Sequence, residues 1–242
     1  MIRLHSYESL GTFDGPGLRL VVFLQGCNFR CRYCANPDTI DPKGECREVS
    51  MEEILEMAVS EKPFFGKRGG VTFSGGEPTL QARELIPLFR RLREAGIHIC
   101  LDTNGSIHTP EVEELWGLTD LVLLDVKQAN PQQHKLLTER ENTQTLRTAA
   151  WLEEHQRPFW LRYVLVPGHS DAEADIRALG EALGGYKMIE RVEILPYHTL
   201  GVHKYEAMGL DYTLKGVKEN TPEQLERAKA IFDEYFDTVF IN

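Results

Sequence analysis

Several things are scarce in this 242-residue chain, and each scarcity excludes a class of protein. No stretch approaches the 18 or so consecutive apolar residues that a membrane-crossing helix needs, so none is expected. The first residues, Met1 to Glu8, carry no apolar signal core, which places the expected location in the cytosol. Basic residues are outnumbered, 27 Lys plus Arg against 37 Asp plus Glu, for a net charge of −10. Nucleic acid is therefore not expected as the main partner, because neutralising phosphates needs a basic surface. Gly at 20 and Pro at 12 are ordinary counts, with no low-complexity tract, repeat or linker, so collagen and disorder are excluded. Cysteine is scarcest in an informative way. Cys27, Cys31, Cys34, Cys46 and Cys100 are an odd number, and three lie within eight residues. A secreted disulfide scaffold would spread an even number along a shorter chain. Clustered thiols in a cytosolic chain point to metal or to chemistry.

What the chain has in quantity is alternation. Short apolar runs predict strands over residues 17–24, 70–73, 97–101, 120–126, 159–166 and 192–196. Helical periods fall between them over 51–60, 80–95, 111–116, 131–137, 143–155, 171–183 and 222–235. Ser50 with Glu53 reads as a capping box, Gly96 as a helix stop, Ser170 or Asp171 as a cap, and Thr221-Pro222 as a start. Six strands each followed by a helix predict an α/β fold with a parallel sheet and right-handed crossovers. Six units are too few for a closed eight-stranded barrel; an open doubly wound sheet and a partial barrel both remain. One domain is expected over 1–242, with its core over about 15–200 and a closing helix and strand over about 201–242.

Each predicted strand ends in polar or Gly-rich chemistry: Gln25-Gly26-Cys27, Ser74-Gly75-Gly76-Glu77, Asp102-Thr103-Asn104-Gly105, Asp125 with Lys127, Pro167-Gly168-His169, and Pro196-Tyr197-His198. In parallel α/β folds that edge is where active sites assemble. Cys27-Asn28-Phe29-Arg30-Cys31-Arg32-Tyr33-Cys34 sits at the first of these ends. Three thiolates so close can hold one metal centre. Structural zinc wants four ligands, and Cys46 is the available fourth. An iron–sulfur cluster with three protein ligands is the sharper reading, because it leaves one iron open to bind a small molecule. Arg30 and Arg32 interleave the thiols, which is unlike a core and favours thiolate.

This C-x3-C-x2-C, with aromatic Tyr33 before the third Cys, resembles the radical S-adenosylmethionine superfamily. Thr12-Phe13-Asp14-Gly15-Pro16-Gly17-Leu18-Arg19, Gln25-Gly26-Cys27 and Cys34-Ala35-Asn36-Pro37-Asp38-Thr39 resemble its glycyl-radical-enzyme activases. Within them, residues 100–105, Asp125-Val126-Lys127-Gln128, Arg162-Tyr163 and Leu195-Pro196-Tyr197-His198 resemble the branch acting on pyruvate formate-lyase. The resemblance implies a partial (β/α)6 barrel of the TIM type. It implies a [4Fe–4S] cluster on Cys27, Cys31 and Cys34, and S-adenosylmethionine (SAM) on the open iron.

It further implies a 5′-deoxyadenosyl radical that takes a hydrogen from a glycine of the partner. Gly75, Gly76 and Glu77 would form the cofactor loop, with glycine letting backbone approach the ligand. Asp102, Thr103 and Asp125 would surround a monovalent cation and the SAM carboxylate, and Val126, Lys127, Arg162 and His198 would contact the cofactor. Tyr33, Cys34 and the Ala35 backbone would frame the adenine; many relatives have His where this chain has Ala35. Asp14 to Gly17 would meet the partner's glycine loop, and flavodoxin or ferredoxin would supply the electron. Cys46 and Cys100 read as bystanders, and His203, Lys204 and Tyr205 receive no role beyond partner contact. An activase for a different glycyl radical enzyme, or a radical enzyme for a small molecule, are the other readings. Only Cys46 lies between Cys34 and Cys100, so no second cluster can be built there.

Overall fold

The computed structural model describes all residues, 1–242. Nine strands form a mostly parallel sheet in the order β3-β1-β2-β4-β5-β6-β7-β8-β9. The six expected strands are all present, as β2 (Arg19–Leu24), β4 (Gly70–Gly75), β5 (His98–Thr103), β6 (Leu121–Asp125), β7 (Phe159–Leu165) and β8 (Ile189–Pro196). Three more were not among them. β1 (Ile2–Gly11) runs antiparallel to β2, β3 (Arg47–Val49) runs antiparallel to β1, and β9 (Val239–Ile241) runs parallel to β8. The helices are α1 (Met51–Glu61), α2 (Ala82–Glu94), α3 (Pro110–Leu118), α4 (Pro131–Thr138), α5 (Thr143–Glu154), α6 (Glu173–Leu183), α7 (Val202–Ala207) and α8 (Pro222–Phe232).

The chain divides into two compact units. The first comprises Met1–Asn28, Thr39–Thr103 and Ile107–Leu123; the second comprises Phe29–Asp38, Asn104–Ser106 and Leu124–Asn242. In the first unit the apolar runs of β2 and β4 are buried on both faces, as a parallel strand covered on both sides requires. Helix α2 buries Leu85, Leu88, Phe89 and Leu92 completely, and Phe89 packs on Phe73 of β4 with ring centroids 4.7 Å apart. Each such side chain contributes roughly 1.5–3 kcal/mol by leaving water. In the second unit β7 and β8 pair in register from Trp160 with Arg191 to Leu165 with Pro196. Helix α8 packs on α6, and its Phe232 meets Tyr163 of β7 edge to face at 5.5 Å.

Two helix ends differ from their expected chemistry. Ser50 caps α1 by accepting from the Glu53 N–H, but the Glu53 carboxylate pairs with Arg47 at 2.7 Å instead of closing a capping box. The reciprocal box is at α8, between Thr221 and Gln224. Helix α6 is capped by Ala172, without a side-chain bond, while Ser170 and Asp171 serve the preceding turn. The Ser170 hydroxyl donates to the Val164 carbonyl and accepts from the Val166 N–H; Asp171 accepts from the Gly168 N–H. Gly96 does stop α2, in the left-handed region at φ +65°.

Candidate functional site

In the first unit, β4 delivers the Ser74-Gly75-Gly76-Glu77 loop. Gly75 has φ +99°, which suits glycine alone. Gly76 has no room for a side chain: a Cβ there would lie 2.1 Å from the Gly26 carbonyl oxygen and 3.1 Å from that of Thr39. Three backbone bonds lock this approach. The Gly76 N–H donates to Leu24 at 2.8 Å, the Glu77 N–H to Gly26 at 2.8 Å, and the Gly26 N–H to Thr39 at 2.7 Å. The same ladder carries Cys27, whose N–H donates to the Ile40 carbonyl at 3.0 Å. The glycine loop and the first cysteine are therefore one backbone assembly.

Glu77 is buried, and its Oε1 accepts from the Thr79 N–H at 3.1 Å, the Thr79 hydroxyl at 2.5 Å and the Thr103 hydroxyl at 2.7 Å. Thus Glu77 caps the short turn over Pro78–Gln81 and tethers the end of β5. Asp102, beside Thr103, accepts from the Ser74 hydroxyl at 2.6 Å. Two buried or half-buried hydrogen bonds, Thr103 to Glu77 and Ser74 to Asp102, thus join the ends of β4 and β5.

The turn over residues 14–17 is staked from below by Arg19, which is wholly buried. Its guanidinium donates to the carbonyls of Pro16 at 2.9 Å and Val71 at 2.7 Å, and to the Thr72 hydroxyl at 2.5 Å. Thr72 in turn donates to the Asp14 carbonyl at 2.6 Å. Cys100 lies under the same turn: a Cβ on Gly15 would come within 2.9 Å of its sulfur. Burial pushes the Cys100 thiol up to about 12, which favours its protonated form at neutral pH.

In the second unit the segment with Cys31 and Cys34 is gripped from two directions. The Arg30 and Arg32 N–H groups donate to the Thr138 and Leu137 carbonyls at the end of α4, at 3.0 and 2.9 Å. The Arg32 side chain donates to Thr213, and the Cys34 N–H closes a turn onto the Cys31 carbonyl at 3.0 Å. Helix α7 holds the other side. Tyr205 donates to the Cys34 carbonyl at 3.2 Å, and Lys204 reaches Asn36 at 2.8 Å and Asp38 at 3.0 Å. Gly201 sits so close to Ala35 that a Cβ would be 2.7 Å from the Ala35 oxygen. Lys204 and Tyr205, unassigned from sequence, thus fasten the residues that follow the third cysteine. His203 bonds only to Leu200, at the surface.

Tyr33 packs against a cluster of Val166, Tyr197, Tyr205, Tyr212 and Leu214, in which the Tyr197 and Tyr212 hydroxyls bond at 2.8 Å. Its own hydroxyl is buried without a partner. Lys127 lies 5.8 Å from the Tyr33 ring centroid and donates to Asp125 at 2.6 Å. Burial works against the Lys127 ammonium, but Asp125, Tyr33 and Cys31 outweigh it and hold its pKa well above the usual lysine value. Burial also raises the Cys34 thiol, opposed by the Asn36 N–H and by Lys127 and Lys204. Those cations are what a thiolate centre needs beside it. The Val126 N–H donates to the Arg162 carbonyl at 3.1 Å. Arg162 is buried with Glu193, and His198 is exposed, its Nδ1 accepting from the Leu200 N–H at 3.4 Å.

Residues 21–179 match the model of the radical SAM superfamily. The chain is 44% identical to the pyruvate formate-lyase-activating enzyme of Streptococcus mutans, over 96% of this chain and 93% of that protein. It is 45% identical to the pyruvate formate-lyase 1-activating enzyme of Escherichia coli K12, over 96% of each. Among solved structures, Streptococcus suis SuiB bound to S-adenosylmethionine shares the fold at 15% identity, with a TM-score of 0.73 over 93% of this chain and 50% of that one.

Proposed function

The chain belongs to the radical SAM superfamily and, within it, to the pyruvate formate-lyase-activating enzymes, and on that premise we infer that it installs the glycyl radical on a pyruvate formate-lyase. Membership brings a [4Fe–4S] cluster and SAM as cofactors. The residues present fit both. Cys27, Cys31 and Cys34 are a three-thiol donor set, and the Gly75-Gly76 loop packs directly on the backbone of Gly26, next to Cys27. The observation that carries the reading is that close packing of the glycine loop on the residue before Cys27.

When bound, the cluster and SAM together supply a 5′-deoxyadenosyl radical able to take a hydrogen atom from a glycine Cα of the partner. The protein's share is position and electrostatics. Cys27, Cys31 and Cys34 hold the cluster. Gly75 and Gly76 bring backbone to the cofactor, and Glu77 fixes the shape of that loop through Thr79 and Thr103. Tyr33, Cys34 and Ala35, held by α7, frame the adenine, and Val126, Arg162 and His198 complete the contacts. Asp102, Thr103 and Asp125 supply oxygens for a monovalent cation near the SAM carboxylate, since carboxylates tolerate an anion only with a cation between them. Lys127 adds positive charge at Asp125 and Tyr33. Asp14 to Gly17, held by Arg19, receive the partner's glycine loop, and holding the reactants in register is where most of the rate can come from. The whole chain acts as one radical SAM domain in an anoxic cytoplasm, reduced by a flavodoxin or ferredoxin. No helix is long and apolar enough to cross a membrane.

Electron paramagnetic resonance tests the assignment. Anaerobic reduced protein mixed with SAM and pyruvate formate-lyase is expected to give the glycyl radical doublet. A partner-independent loss of SAM with no doublet, or a doublet only on another glycyl radical enzyme, would overturn the choice of partner.

A further inference from the structure

We propose that Glu193 is a positioning residue for Arg162, and that Arg191, stacked between two aromatic rings, is what holds Glu193. The inference rests on the reading that Arg162 contacts SAM. Strand pairing alone sets up the arrangement. In β7 and β8, Trp160 is the register partner of Arg191 and Arg162 that of Glu193; in β8 and β9, Glu193 is the partner of Phe240. Residues two apart on a strand share a face, so Trp160 and Arg162 point the same way, as do Arg191 and Glu193. The five side chains therefore form a patch on one face, two registers wide.

The contacts fit that placement. The Arg191 guanidinium lies 4.0 Å from the Trp160 ring centroid and 4.4 Å from that of Phe240. A planar guanidinium is suited to this stacking, and its N–H edge stays available for a carboxylate. That edge is used: Arg191 Nη1 donates to Glu193 Oε1 at 3.2 Å. The other oxygen, Oε2, stands 3.6 Å from Arg162 Nε. One carboxylate, 2% exposed, thus serves two guanidiniums, one oxygen to each. A carboxylate is rarely so buried unless its charge is answered, and two cations answer it here. The set keeps a net positive charge, and the cofactor group that such a charge can meet is the SAM carboxylate. Buried beside that carboxylate as an ion pair at 3.6 Å, Arg162 has lost much of the rotamer freedom that a long cationic side chain surrenders on binding. Arg191 does the same for Glu193, and the aromatic stack does it for Arg191.

A double-mutant cycle decides the matter. SAM affinity is measured by calorimetry on cluster-loaded protein, wild type, Arg162→Gln, Glu193→Gln and the double variant. In cluster-free, ¹⁵N-labelled protein the Arg162 Nε–H resonance is followed as a second readout. Glu193→Gln is expected to weaken SAM roughly 5- to 30-fold when Arg162 is present and less than about twofold when it is Gln, the coupling typical of residues acting as one unit. The Arg162 Nε–H signal should shift in the same variant. If Glu193→Gln fails to fold, Arg191→Lys, which keeps the charge but loses the planar stack, is expected to weaken SAM about two- to fivefold, again only with Arg162 present. Equal weakening in both backgrounds, or none, overturns the positioning role while leaving Arg162 in the cofactor site. No loss of affinity in Arg162→Gln itself would remove Arg162 from that site and end the proposal with it.

Discussion

Replacing Gly76 by alanine puts one methyl group against backbone that cannot yield cheaply. Ordinary van der Waals contact begins near 3.4 Å, and the new Cβ starts 2.1 Å from the Gly26 oxygen and 2.6 Å from the Gly26 carbonyl carbon. The gap must open by more than an ångström. Glu77 bonds to that same oxygen at 2.8 Å, and Gly26 itself is tied to Thr39, so the movement breaks at least one buried backbone bond. An orphaned buried donor costs about 1–3 kcal/mol, and an overpacked site costs about 1–3 kcal/mol more. The expected loss is therefore about 2–6 kcal/mol, a large part of the ~5–15 kcal/mol that holds a domain together. Urea unfolding of cluster-free protein under anaerobic conditions measures it. Two controls separate the causes. Gly185 has nothing within 4 Å and ordinary backbone, so Gly185→Ala should stay within about 0.5 kcal/mol of wild type. Gly66 also has free space but φ +59°, so Gly66→Ala should lose only the left-handed strain, about 1–2 kcal/mol. The clash also bears on the residue before Cys27, so iron uptake by Gly76→Ala should fall. An unfolding midpoint for Gly76→Ala equal to that of Gly185→Ala would refute the reasoning.

Three further outcomes are expected. Cys31→Ala should carry almost no iron where wild type carries about four per chain, whereas Cys46→Ala should keep it; iron analysis in which both variants lose the metal would overturn the ligand set. Asp102→Ala, which strips the Ser74 hydroxyl of its 2.6 Å acceptor, should weaken SAM roughly tenfold with iron unchanged, as read by calorimetry. His134 is wholly buried, and burial, with Lys127 adding to it, holds its pKa below the ordinary 6.5 despite the Arg140 carbonyl. The unfolded chain then takes the proton first, so this contribution is complete above about pH 6.5 and is lost as pH falls below it, by at most ~1.4 kcal/mol per pH unit. Urea midpoints at about pH 7.5 and 5.5 should converge in His134→Gln relative to wild type; an unaltered pH dependence would show that the histidine is protonated in place.

The six parallel strands were legible because each is an apolar run bounded by Gly or polar residues, as in Leu121 to Leu124 before Asp125. β1 was not. Ile2 and Leu4 are buried, but Tyr7 to Leu10 are exposed, so the strand has no sustained period to read. Short β3 and β9 are fixed by pairing with a neighbour, not by local preference. In the site, the types of residue at the strand ends were readable, and their partners were not. Glu77 was readable as part of the cofactor loop, but not the bonds its Oε1 accepts from Thr79 and Thr103. Lys204 and Tyr205 lie about 170 positions from Asn36 and Cys34, beyond any window of local pattern. Glu193 did leave a trace: a charge flanked by the buried Val192 and Ile194 is a sign of a buried partner.

The grip of α7 on the residues after the third cysteine also sets an order of events during biosynthesis. Tyr205 and Lys204 close onto Cys34, Asn36 and Asp38, and Thr213 onto Arg32, across 166 to 181 intervening positions. Contacts of such separation form late, since a long loop must close before they return any stabilisation. Until then Cys31 and Cys34 belong to a loose segment with reactive thiols. Chains halted short of α7 lack these contacts, and they should take up less iron than the full chain.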